Sequence, residues 1–175
     1  KIVGITGLDT RSLTNFIRDK GAPKGTISNN KKGIFNIKKL INISIKWPGL
    51  NGLDLAKDVT TSKTYTWKGL KTWEKGKGFK KNKKKSLRIV AIDYGIKKNI
   101  LRYFSNYDCE VKVVSCKQTA EKILKLKPNG IFLSNGPGDP AATGKYAIET
   151  VQKLINSNLP VFGICLGHQI LALAL

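Results

Sequence analysis

From Leu87 onward the chain alternates short apolar runs with helical patterns, and this alternation constrains the fold more than anything else in the sequence. Residues 88–93 (RIVAID), 110–115 (EVKVVS), 131–133 (IFL) and 161–164 (VFGI) read as buried strands, short and rich in β-branched and aromatic side chains. Between them, residues 97–104, 120–126 and 145–156 read as helices. Pro128 stops the second, and Ile148, Val151, Leu154 and Ile155 mark one face of the third. Strands regularly separated by helices imply βαβ units, hence an α/β fold with a doubly wound parallel sheet. In such sheets ligands bind beyond the carboxyl ends of the strands. Three loops qualify: Asp93-Tyr94-Gly95, Ser134 to Pro140, and the turn at Cys165.

The first part of the chain is less periodic. A strand is expected at 1–6. A helix follows, with Asp9 as N-cap, Leu13, Phe16 and Ile17 on one face and Gly21 as the C-terminal stop. A short strand at 25–28, a second helix around Ile37, Leu40 and Ile41, a turn at 47–50, a helical turn at 53–57 and a strand within 59–67 complete it. Residues 73–87 are Lys- and Gly-rich and read as a linker, a solvated connector rather than a phosphate-binding arm. The expected organisation is a partial, smaller N-terminal α/β domain over 1–72, the linker, and a truncated doubly wound domain over 88–175.

The formal net charge of +21 raises nucleic-acid binding as a function. Against it, only Arg11, Arg18, Arg88 and Arg102 among the 32 basic residues are arginines, and the lysines are dispersed. No nucleic-acid partner is therefore expected. No apolar run approaches the roughly 20 residues of a membrane span, and no membrane association is expected. Cys109, Cys116 and Cys165 form no C-x-x-C pair and His168 is the single histidine, so neither a disulfide framework nor a zinc site is expected; a cytoplasmic location fits. With no Met and an apolar helical pattern at its last residue, the sequence reads as an internal segment of a longer protein.

Gly163-Ile164-Cys165-Leu166-Gly167 follows a strand and precedes a run of helix formers. Strand, sharp turn and helix with a nucleophile at the apex is the layout of a nucleophile elbow, here with Cys. The flanking glycines let strand and helix pack closely. The helix N-terminus favours an anionic sulfur, and the Leu166 N–H is placed to meet a developing oxyanion. A buried structural Cys on a βα turn is the other reading of these five residues. In the loop at 134–140, Gly136 and Gly138 alternate with prolines, giving a rigid backbone with accessible N–H groups. Taken alone it is a turn ending in a helix N-cap; beside the elbow it becomes a substrate clamp. His168, three residues past Cys165, reads as structural rather than as a general base. Gln169 is placed either at the pocket mouth or on the surface.

Two stretches, 162–169 (FGICLGHQ) and 133–140 (LSNGPGDP), resemble the class I, triad-type glutamine amidotransferases. Residues 7–14 (GLDTRSLT), 48–61 (PGLNGLDLAKDVTT) and 93–100 (DYGIKKNI) resemble the carbamoyl-phosphate synthase small-subunit family within them. The resemblance implies a subunit that hydrolyses L-glutamine to glutamate and ammonia and hands the ammonia to a large synthetase subunit. It implies Cys165 as the nucleophile, backbone oxyanion donors at Gly136 and Leu166, and glutamine contacts at Gly136, Gly138, Leu166 and Gln169. It implies no cofactor in this subunit, ATP and Mg being used by the large one, and a catalytic His–Glu pair in an H-x-E motif after residue 175. Another class I amidotransferase, a related elbow-Cys hydrolase and a non-catalytic scaffold homologue are the competing readings.

Overall fold

The computed structural model describes residues 3–82 and 86–175. Residues 1–2, the start of the first expected strand, and 83–85, within the expected linker, lie outside the described residues.

The chain divides into two units, Lys1–Gly49 and Leu50–Leu175. The first holds two helices, α1 (Thr10–Lys20) and α2 (Ile37–Lys46). Each begins where a side chain replaces a missing helical acceptor. Asp9 accepts from the Ser12 N–H at 2.9 Å, and Asn36 from the Lys39 N–H at 2.9 Å. Gly21, at φ 81°, ends α1 as expected. The expected strands at 3–6 and 25–28 do not form, because among the described residues of this unit no strand offers them a ladder. Instead Thr26 turns its hydroxyl to Ser44 of α2, at 2.6 Å.

The second unit begins with α3 (Ala56–Val59), slightly later than the helical turn expected at 53–57, and β1 (Tyr65–Thr66). The strand expected within 59–67 shrinks to those two residues because its threonine region bonds elsewhere. The Thr60 hydroxyl accepts from the Cys116 N–H (2.9 Å), and the Thr61 N–H donates to Asp93 (2.8 Å).

The linker expected at 73–87 and the boundary at residue 72 need correction. The division falls at Gly49/Leu50, and β2 (Leu70–Glu74) and β3 (Gly78–Lys81) form an antiparallel hairpin through the Lys/Gly stretch. Gly76, at φ 76°, makes its turn. The hairpin is held by Arg102 stacked 4.4 Å over the Phe79 ring and by Asn106, which bonds both Thr72 groups at 2.8 and 3.1 Å. Lys75, Lys77, Lys80 and Lys81 face solvent, with Lys77 and Lys80 near Glu74 at 3.6 and 3.4 Å. A strand whose outward positions are lysines has the composition of a connector.

The remaining elements are β4 (Leu87–Asp93), α4 (Lys98–Asn106), β5 (Cys109–Ser115), α5 (Ala120–Leu124), β6 (Gly130–Leu133), α6 (Pro140–Ile155), β7 (Val161–Gly163) and α7 (Leu166–Ala174). They build a sheet of order β1-β5-β4-β6-β7, parallel except for the β1 edge. Helix α6 begins five residues before the expected Lys145, because Asp139 caps it and Pro140 occupies its first position.

Alternation along the central strands splits the core in two. Val90, Ile92, Val114, Ile131 and Leu133 pack with residues of α5, α6 and α7. Ala91, Val111, Val113 and Phe132 pack with Leu101 of α4 and with Trp67. Both faces are covered, which explains the nearly continuous apolar runs. From β4 the chain goes first to β5 on one side, then to β6 on the other. The strand order therefore reverses between β4 and β6, and the loops that leave them open the crevice where doubly wound sheets bind ligands.

Candidate functional site

The site is assembled at the carboxyl ends of β4, β6 and β7. Leu133 of β6 is in register with Gly163 of β7, so the loop after β6 and the turn after β7 start side by side. Two backbone bonds join them: the Ile164 N–H donates to Leu133 O (3.1 Å) and the Gly167 N–H to Ser134 O (3.0 Å).

Cys165 stands at the apex of this turn with φ 53° and ψ −115°. Such a backbone costs a residue with a Cβ about 1–3 kcal/mol, so it persists only where neighbours enforce it. The flanking glycines make it possible. A Cβ on Gly163 would lie 2.6 Å from the Gly167 carbonyl carbon and 2.7 Å from His168 N, and one on Gly167 would overlap the Leu133 carbonyl. Cys165 is exposed, whereas Cys109 and Cys116 are buried. Burial and the nearby Asp108 push the Cys109 thiol up. Of the three cysteines, Cys165 is the exposed one.

Leu166 is the first residue of α7, and its side chain is buried in the core. Among the described residues its backbone N–H donates to no backbone carbonyl. The same holds for the Gly136 N–H. Gly136 is pressed against the Tyr94 carbonyl, and a Cβ there would overlap it. Gly138, at φ 102°, passes so close to the 53–55 segment that a Cβ would stand 2.8 Å from Leu53 O and Leu55 N. Gln169 donates its N–H to Cys165 O at 3.0 Å, and its side chain is exposed on the first turn of α7.

His168 is exposed and, among the described residues, makes no hydrogen bond to Cys165. The geometry brings Cys165, Leu166 and Gln169 together at one helix start, with the Gly136–Gly138 loop tied to it through Ser134.

Sequence reasoning missed the braces behind these residues. The buried Ser134 hydroxyl accepts from the Tyr94 N–H (2.9 Å) and donates to Asn135 O (2.7 Å). Asn135 spans to the loop after β4, accepting from Lys97 N (3.1 Å) and donating to Gly95 O (3.0 Å). Asp93 accepts from the Gly95 and Ile96 N–H groups at 2.9 and 2.8 Å. The available signal was position: polar residues directly after apolar strands. Tyr94 is buried, and burial followed by the neighbouring Cys116 raises its phenol, which stays protonated.

Among the described residues no group of three or more His, Cys, Asp or Glu is arranged to hold a metal ion, and no helix is long and apolar enough to cross a membrane.

Residues 90–175 match the family described as glutamine amidotransferase class-I. The chain is 49% identical over 174 residues to the carbamoyl phosphate synthase small chain of Agrobacterium fabrum, covering 99% of this chain and 43% of that relative. It is 50% identical over 175 residues to the small chain of Caulobacter vibrioides (99% and 45%) and 51% identical over 175 residues to that of Bartonella henselae (99% and 44%). The chain thus spans less than half the length of the curated relatives it matches. Residues 90–175, which hold the elbow cysteine and the Gly-Pro loop beside it, thus match the class-I glutamine amidotransferases, and 99% of the chain is similar to carbamoyl phosphate synthase small chains.

Proposed function

We propose that this chain carries the nucleophile half of a glutaminase site serving carbamoyl phosphate synthesis. The observation that carries the reading is the elbow: an exposed Cys165 at φ 53° at the N-cap of α7, fixed to the Gly136–Gly138 loop by the Gly167–Ser134 bond. The Cys165 sulfur attacks the side-chain amide carbon of L-glutamine. A C–S bond forms, and the carbonyl oxygen becomes an oxyanion received by the Gly136 and Leu166 N–H groups. Collapse breaks the C–N bond, the nitrogen leaves with a proton as ammonia, and water then hydrolyses the γ-glutamyl thioester to glutamate. Gly136, Gly138, Leu166 and Gln169 hold the glutamine.

The ammonia passes to a large synthetase subunit, the partner that the relatives' name "small chain" supports. That subunit combines it with bicarbonate at the expense of ATP, with Mg, and the carbamoyl phosphate feeds arginine and pyrimidine synthesis. The small chain itself uses no cofactor, and the pair is a cytoplasmic heterodimer. Proton transfer falls to a His–Glu pair of the H-x-E type, which this sequence does not contain. The 175-residue chain alone is therefore expected to bind glutamine at Cys165 without useful turnover.

The test is alkylation of Cys165 by a γ-diazoketone analogue of glutamine, followed on the Cys165 peptide by mass spectrometry. L-Glutamine is expected to slow the reaction, and D-glutamine is not. Absence of protection by L-glutamine would overturn the assignment. Robust ammonia release by the chain alone, lost in Cys165→Ser, would overturn the placement of the base.

A further inference from the structure

The Gly136–Asp139 loop faces the elbow on one side and a second backbone segment on the other. That segment, Gly52 to Leu55, lies some 87 positions earlier in the chain. Three contacts join the two. Gly138 runs against Leu53 O and Leu55 N. The Asp139 N–H donates to Leu53 O at 2.9 Å. One Asp139 carboxylate oxygen accepts from the Gly52 N–H at 2.7 Å, while the other caps α6 through Ala141 N at 2.8 Å. Asp54 adds a second anchor, its Oδ1 accepting from the hydroxyls of Thr143 (3.1 Å) and Tyr146 (3.2 Å), both on α6. Thr143 is fully buried. The Tyr146 hydroxyl also approaches the Cys116 sulfur at 3.5 Å, which closes the anchor against the end of β5.

Each contact has a consequence for the loop. Two carbonyl-to-amide and carboxylate-to-amide bonds fix the height of Asp139, and the fit of Gly138 against the 53–55 backbone fixes the depth of the loop. A loop whose amides must meet an oxyanion within hydrogen-bond distance gains from a rigid backing, because a displacement of about 1 Å can cost on the order of a hundredfold in rate.

We infer that Gly52–Leu55 is a strut that sets the position of the oxyanion loop, with Asp54 and Asp139 as its positioning residues. The inference rests on the glutaminase reading for its chemical consequence but not for its structural one. Asp139→Ser separates the two roles of Asp139, since Ser still caps α6 but is too short to reach Gly52. Asp54→Ala removes the α6 anchor, and Asp54→Asn restores an oxygen for both hydroxyls.

The experiment compares two alkylation rates at Cys165 in the full chain: the γ-diazoketone glutamine analogue and iodoacetamide. Asp139→Ser and Asp54→Ala are expected to lower the ratio of analogue to iodoacetamide rates by about tenfold. The iodoacetamide rate itself is expected to stay within about twofold, and Asp54→Asn is expected to recover the wild-type ratio. In parallel, amide hydrogen exchange at Gly136 and Gly138 is expected to accelerate about tenfold in the two damaging variants, with α7 unchanged. Wild-type ratios together with wild-type exchange in both variants would overturn the strut. A wild-type protein that shows no preference for the analogue would overturn the glutaminase reading instead, and exchange at Gly136 and Gly138 would still decide the strut.

Discussion

The two units of this chain form helices by the same local rules and differ in what those helices cover. In Lys1–Gly49, α1 and α2 have side-chain N-caps, and α1 places Leu13, Phe16 and Ile17 on one face, yet no described residue of the unit is buried. In Leu50–Leu175, helices α4 to α7 enclose a parallel sheet and bury Leu101, Ile123, Val151, Leu154 and Ile170 almost completely. Capping and periodicity therefore specify a helix, whereas burial against a partner specifies a fold. The catalytic candidates all sit in the unit with a core. A strained Cys165 backbone can be held only where packed neighbours leave it no alternative.

That contrast is broken most directly by removing large side chains on each side of it. Phe132, fully buried and edge-on to Phe104 at 5.1 Å, is expected to cost about 3–5 kcal/mol as Phe132→Ala. Phe16, half exposed on α1, is expected to cost under about 0.5 kcal/mol as Phe16→Ala. Denaturant unfolding measures both. Equal losses would mean that α1 contributes as much packing as the sheet.

A smaller effect is expected where the elbow has no room. Gly167→Ala forces a methyl into the Leu133 carbonyl, with an expected loss of about 1–3 kcal/mol. Its sharper signature is local: analogue alkylation of Cys165 falls while Cys109 and Cys116 remain protected. Wild-type alkylation in this variant would mean that the β7–α7 turn tolerates a side chain its geometry excludes.

The next test uses pH. The Gly52 and Ala141 N–H groups, in that order, hold the Asp139 carboxyl below the usual carboxylate range. A depressed folded value contributes stability that is complete above the unfolded value of about 4 and is lost as pH falls through the folded value. Melting temperature is therefore expected to fall from pH 5 toward pH 3, with a shallower slope in Asp139→Asn. Identical slopes would remove Asp139 from the acid response. Glu74 and Glu121 are lowered as well, by Lys80 and by the α5 N-terminus respectively, so Asp139→Asn removes only part of the slope.

What the sequence made legible follows the same division between local and distant causes. Helix α1 was readable from Asp9 and Gly21, and the elbow from five consecutive residues, because their causes lie within one turn of chain. The parallel sheet was readable because both of its faces are covered, leaving apolar runs. The β2–β3 hairpin was hidden by its outward lysines, and the Val59–Trp67 strand was overstated because Thr60 and Thr61 bond to Cys116 and Asp93, partners 56 and 32 positions away. The Gly52–Asp139 contact had no local signal at all, since neither residue looks unusual until the fold brings them together.

The mildest prediction separates local from tertiary stabilisation within one type of interaction. Asp9 caps α1 with a 2.9 Å bond to Ser12 N, and Thr119 caps α5 with a longer one, 3.5 Å, to Lys122 N. Judged by capping geometry alone, Asp9→Ala should be the more damaging change, at about 1 kcal/mol. But α1 buries nothing, so its loss frays one helix, while α5 carries Ala120 and Ile123 into the core beneath the sheet. Asp9→Ala is thus expected to lower helical circular dichroism with little change in the main unfolding midpoint. Thr119→Ala is expected to shift that midpoint by a few tenths of a kcal/mol, with helicity unchanged. If Asp9→Ala instead moves the midpoint, α1 is coupled to the folding of the sheet, and the independence of the two units fails.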